Sequence, residues 1–179
     1  MATQPPVLAH QPVVRAAVIT VSDSRAAGGE DASGDLLVER LATLPARLIS
    51  RAVVRDDVDA IRPALVEALR GADVVVLSGG TGLGPRDVTP QAVWPLLEYE
   101  VAGMAEAMRQ AGLHHTPHAM LSRQVVGVVQ GCLVMALPGS PRAVGECLDA
   151  VWAAIPHALA LLRGDTRHDR SRPEGAPQP

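Results

Sequence analysis

The sequence predicts an α/β fold: a three-layer α/β/α sandwich around a mostly parallel, mixed central sheet. Three observations carry this. Short apolar, β-branched runs alternate with stretches whose apolar residues recur at helical spacing, in the order β-α-β-α-β-α-α-β-β-α. Polar or glycine-rich clusters follow several of the runs, as strand-to-helix connections require. Two adjacent apolar runs, 124–130 and 132–137, flank Gly131 and read as a hairpin, which makes the sheet mixed.

The first run, Arg15 to Val21, is a buried strand closed by Ser22-Asp23-Ser24. A flexible polar loop over 25–31 leads to a helix capped by Ser33, spanning Gly34 to Leu44. Arg47 to Val54 is the second strand and ends at Arg55-Asp56-Asp57. A helix from Val58 to Arg70 presents Ile61, Leu65 and Leu69 on one face and stops at Gly71. Asp73 to Leu77 is a third buried strand, followed by the loop SGGTGLGPRDVTP from Ser78 to Pro90. Thr89 reads as an N-cap with Pro90 at the first helical position. Two helical pieces, 90–99 and 103–112, precede a loop with His114, His115 and His118. After the hairpin, Pro138 to Arg142 opens a long apolar helix to Leu162, broken at Pro156. Residues 1–13, rich in Pro and Gln, and 164–179, polar and Pro-rich, are expected to be disordered tails around one domain, 14–163.

Composition narrows the function classes. The chain of 179 residues is 47% hydrophobic with no Phe, so its core is aliphatic. A net charge of −3 makes no electrostatic case for nucleic acid. All 16 basic residues are Arg, which excludes a phosphate-binding P-loop lysine and any Schiff-base lysine. Cys132 and Cys147 read as buried thiols. The expectation is that no apolar run spans a bilayer and that the protein is cytoplasmic.

Polar groups recur at Ser22-Asp23, Asp56-Asp57, Gly79 to Asp87 and Pro138 to Arg142. In a doubly wound sheet such loops converge at the carboxyl ends of the strands. Four glycines in six residues, Gly79 to Gly84, expose backbone N–H groups to an anion. Carboxylates facing that loop suit a magnesium–nucleotide site, and Arg86 suits charge neutralisation at phosphorus. The plainer reading makes Asp23, Asp56 and Asp57 helix caps and turn residues, and both readings stand on spacing alone. The three histidines lack a completing carboxylate or cysteine and do not make a metal site.

Assembled in order, these motifs resemble the MogA/MoaB family of molybdenum cofactor biosynthesis proteins. The resemblance covers about residues 14–163. It rests on T-V-S-D-S (Thr20 to Ser24), D-x-S-G (Asp31 to Gly34), Asp56-Asp57, GGTGLGPRDVTP (Gly79 to Pro90), M-L-S-R (Met120 to Arg123) and L-P-G-S-P-R (Leu137 to Arg142). T-P-x-A-M-L-S-R, from Thr116, is similar to the Mog branch. The resemblance implies a homotrimer that binds molybdopterin and, with Mg²⁺ and ATP, converts it to adenylyl-molybdopterin and pyrophosphate. A MoeA-like partner would then use the product for molybdate insertion. The family's catalytic, metal-holding aspartates fall on Asp56 and Asp87. Gly79, Gly80, Thr81 and Gly82 match its ligand loop, and Gly139, Ser140 and Arg142 its second loop. Ser22, Asp23, Arg86 and Ser122 lie in the matched motifs and join the binding residues. Two positions depart: Gly112 stands where Mog-type members often have Ser, and Arg142 where they often have Lys. The alternatives are a pterin carrier or MoaB-type paralogue without adenylylation, and a nucleotide hydrolase of the kind found with the related domain of competence-damage proteins.

Overall fold

The computed structural model describes residues 13–165. The tails expected over 1–13 and 164–179 fall almost wholly outside these residues. The strands are β1 Val14–Val21, β2 Ala46–Val54, β3 Val74–Ser78, β4 Tyr99–Glu100, β5 Val125–Val129 and β6 Cys132–Leu137. They form one sheet in the order β2-β1-β3-β6-β5-β4. β2, β1, β3 and β6 are parallel, while β5 and β4 are antiparallel additions. The mixed sheet arises at Gln130-Gly131, a two-residue turn with φ of 50° and 75° between Val129 and Cys132. That geometry is the one that matches strand twist in a tight hairpin.

The helices are α1 Asp23–Ala26, α2 Ala32–Leu41, α3 Val58–Leu69, α4 Thr89–Val93, α5 Ala102–Leu113, α6 Pro141–Val151 and α7 Ile155–Leu162. The central strands are apolar on both faces because both faces are covered. From β1, Ala16 and Val18 enter one core with residues of α2, α5, α6 and α7. Ala17, Ile19 and Val21 enter the other with α3 and α4. The result is the three-layer sandwich expected from the alternation of elements.

Local expectations are corrected where tertiary partners intervene. The flexible loop over 25–31 begins as helix, because the Ser22 side chain accepts from the Arg25 N–H and caps α1. Asp31, not Ser33, caps α2. The N-cap of α4 is Val88, with no side-chain cap bond, since the Thr89 hydroxyl donates to Gly79 O instead. The last helix tightens into a 3₁₀ turn at Trp152–Ala154, just before Pro156, whose ring cannot join a regular helical ladder. Pro141–Leu162 is one helical stretch long and apolar enough, by length and composition, to cross a membrane, contrary to the expectation. Its Val144, Leu148 and Ile155 are instead fully buried against the sheet.

Candidate active site

The carboxyl ends of the parallel strands are joined by backbone contact rather than by side chains. A Cβ on Gly79 would lie 2.1 Å from Val21 O, and one on Gly139 would lie 3.2 Å from Gly79 Cα. Gly79 and Gly80 take φ of 107° and 64°, which side-chain-bearing residues rarely adopt. Thr89 closes this turn: its hydroxyl donates to Gly79 O at 2.7 Å and its N–H to Gly80 O at 3.0 Å. The second loop is tethered likewise, with Ser78 Oγ donating to Pro138 O at 3.1 Å and Ser33 Oγ to Gly139 O at 2.7 Å.

Asp56 and Asp87 approach this loop from different connections. A Cβ on Gly80 would lie 3.3 Å from Asp56 Oδ1. A Cβ on Gly82 or on Gly84 would lie 2.8 Å from Asp87 Oδ2. The two carboxylates thus flank one glycine segment on one rim of the sheet, and glycine is what lets them approach. Asp87 Oδ2 also accepts from the Gly84 N–H at 2.8 Å. Asp56 Oδ2 accepts from the Asp23 N–H at 2.7 Å, and Asp56 returns its own N–H to Asp23 Oδ1 at 3.2 Å. Arg86 forks onto Asp23 with contacts of 2.8 and 2.9 Å, so its charge is engaged at the rim. Asp57 does cap a helix, accepting from the Asp59 N–H at the start of α3.

A cleft of about 580 Å³ opens beside this rim. Gly80, Thr81, Gly82 and Asp87 line one side, and Ser122, Gly139 and Ser140 line another. Gly79 lies behind this wall as a packing residue. Asp23, Asp56 and Arg86 form the adjoining rim, and the Ser22 hydroxyl is committed to capping α1. Arg142 is not brought to the cleft wall; it projects into solvent and pairs with Glu146 at 2.7 Å. The Ser122 hydroxyl is buried with no hydrogen-bond partner among the described residues. A smaller recess of about 190 Å³ continues past Ser122, His118 and Pro138 towards Cys147 and Gly112. At Gly112 a Cβ would meet Ala119 Cβ at 2.8 Å, so this departure lets α5 close on the 117–121 turn. An apolar recess of about 360 Å³ by Val14, Leu44 and Leu159 lies at the other end of β1 and includes none of these residues.

Several residues here escape sequence reasoning. His118 and Leu121 line the cleft, yet the first reads only as part of a histidine loop. Arg123, which closes the M-L-S-R motif, bonds to three carbonyls of the glycine loop, a role no local pattern signals. Asp31 anchors the neighbouring α2. Burial pushes its carboxyl pKa up, but hydrogen bonds from Arg51, the Gly34 N–H and Thr20, with the Arg51 charge, bring it below the ordinary value.

The arrangement offers backbone amides, hard carboxylate oxygens and one arginine around an open cleft. It suits binding of a phosphorylated ligand. Among the described residues no group of three or more His, Cys, Asp or Glu forms a cage for a metal. An ion shared between one or two carboxylates and a phosphate still fits, which is how Mg²⁺ is usually held.

Residues 17–157 match the family model described as "Probable molybdopterin binding domain". The chain is 43% identical over 153 residues to a molybdenum cofactor biosynthesis bifunctional protein of Synechococcus elongatus, covering 84% of this chain and 48% of that one. It therefore spans about half the length of that relative. It is 36% identical over 153 residues to a molybdopterin adenylyltransferase of Helicobacter pylori, covering 83% of this chain and 87% of that one. Among solved structures, the molybdopterin biosynthesis enzyme MoaB of Thermus thermophilus superposes with a TM-score of 0.76 at 41% identity, over 85% of this chain and 98% of that one. The family model spans most of the chain, and this chain belongs to the molybdopterin-binding domain family of molybdenum cofactor biosynthesis proteins.

Proposed function

We propose that this protein is a molybdopterin adenylyltransferase, using ATP to convert molybdopterin to adenylyl-molybdopterin and pyrophosphate. The observation that carries the reading is the meeting of Asp56 and Asp87 at one glycine segment beside the cleft. The Helicobacter relative of that name, matched over most of its length, supports it.

In this reading the terminal phosphate oxygen of molybdopterin attacks the α-phosphorus of ATP. The bond to the bridging oxygen breaks and pyrophosphate leaves. Such transfer asks mainly for positioning and charge neutralisation. Loop amides from Gly80 to Leu83 bind phosphate oxygens, and Thr81 and Ser122 line the cleft that takes the pterin. Asp56 and Asp87 hold Mg²⁺, directly or through water, and bound magnesium supplies neutralisation of phosphate charge. Asp23 fixes Asp56 through the reciprocal amide contacts and holds Arg86 at the rim. Ser140 and Gly139 close the far wall. A homotrimeric assembly, a cytoplasmic location and delivery of product to a MoeA-like molybdate insertion protein complete the proposal, on the family resemblance.

The test is direct. Protein, Mg-ATP and molybdopterin are mixed, and pyrophosphate and an adenylylated pterin are sought. Equal amounts of both support the reading. Saturable pterin binding with neither product overturns it in favour of a carrier.

A further inference from the structure

Arg123 stands between the 3₁₀ turn at 117–121 and β5, next to Ser122 on the cleft wall. Its N–H donates to Thr81 O at 2.8 Å and its Nε to Gly82 O at 2.7 Å. Its Nη2 donates to Asp87 O. One residue thus grips the glycine loop at both ends of the Gly82–Asp87 segment. A planar trans peptide points its C=O and N–H in opposite directions. Drawing the Gly82 and Asp87 carbonyls onto the guanidinium therefore turns the Leu83 and Val88 N–H groups away from it. The same grip sets the backbone from which the Asp87 side chain projects. Arginine suits the task because its rigid fork reaches two separate acceptors at once, which a single ammonium does not reproduce.

We infer that Arg123 is a positioning residue: it locks the Thr81–Asp87 loop to the Ser122 wall, so that the carboxylate of Asp87 is held in register with ligand in the cleft. The inference rests on the adenylyltransferase reading for its kinetic consequence, but not for its structural one.

The experiment uses the full chain with Arg123→Lys and Arg123→Gln, and two readouts. In amide hydrogen exchange, the segment 81–88 should exchange at least about tenfold faster in both variants, with the β-sheet unchanged. In steady-state assays with Mg-ATP and molybdopterin, kcat should fall by about 30-fold while the KM for molybdopterin stays within about threefold. Lysine should recover only part of the glutamine defect. Unchanged exchange in the loop overturns the inference, and so does a loosened loop with undiminished kcat. If Arg123→Gln unfolds, Arg123→Lys alone decides by the same two criteria. If the unmodified protein makes no product, the adenylyltransferase reading fails by itself. Loop exchange then decides the positioning role, with faster exchange supporting it and unchanged exchange overturning it.

Discussion

Asp23 and Asp56, 33 residues apart, each donate a backbone N–H to the other's carboxylate, at 2.7 and 3.2 Å. This exchange fastens the start of α1 to the turn after β2, and Arg86 extends it to the glycine loop through Asp23. Three connections that are distant in sequence share one electrostatic knot at the rim of the cleft.

Replacing Asp23 with Ala should therefore disturb chemistry more than folding. The Arg86–Asp23 pair is well exposed, so its loss should cost under about 1 kcal/mol of stability. Freed orientation of Asp56 and Arg86 should lower turnover by about 10- to 100-fold. Urea unfolding and pyrophosphate release on the same preparations check both halves.

Glycine substitutions should separate space from conformation. Gly131 has φ of 75° but open space around it, so Gly131→Ala should cost about 1 kcal/mol. Gly79→Ala adds a collision with Val21 O at 2.1 Å and should cost on the order of 3 kcal/mol or more. Denaturant midpoints of the two variants, at unchanged m-value, measure the difference.

Asp73 predicts an acid-side loss of stability. Burial pushes its carboxyl up, but hydrogen bonds from Arg15 and Arg163 and the Arg163 charge bring it down to about 2. Because the ionised form is the one bound in the folded state, the stabilisation is complete above the unfolded value near 3.8. It fades as pH falls towards 2. Asp73→Asn should cost on the order of 1 kcal/mol at pH 7 once solvent screening is allowed for, a gap that narrows as pH falls through about 2 and closes only below it. Urea titrations at stepped pH would show it.

Both thiols should be silent in the native protein. Burial pushes Cys132 and Cys147 up to about 12, so neither supplies thiolate near neutrality. Iodoacetamide at pH 8 should leave the folded chain unmodified and label both residues in denaturant, as intact mass measures.

What was legible in the sequence was what local pattern dictates. Val74 to Leu77 is apolar without interruption and runs into glycines, so strand and loop could both be read, and Gly131 marked the hairpin. β4 could not be read: Tyr99 and Glu100 are exposed and become strand only by pairing with Val128 and Gly127. Thr89 has the chemistry of a cap, but a carbonyl ten residues earlier takes its hydroxyl. Candidate residues could be named from motifs, whereas their division of labour is tertiary. Arg142 faces solvent beside Glu146, while Arg123, its neighbour in the charge pattern, carries the loop. No periodicity distinguishes those two arginines.

The most direct measurement compares adenylyl-molybdopterin formation by the unmodified protein and by Asp87→Asn, alongside molybdopterin binding. Product is expected from the former, with a loss of about 10³-fold in the latter and pterin affinity within about threefold. Full turnover by Asp87→Asn would contradict that expectation.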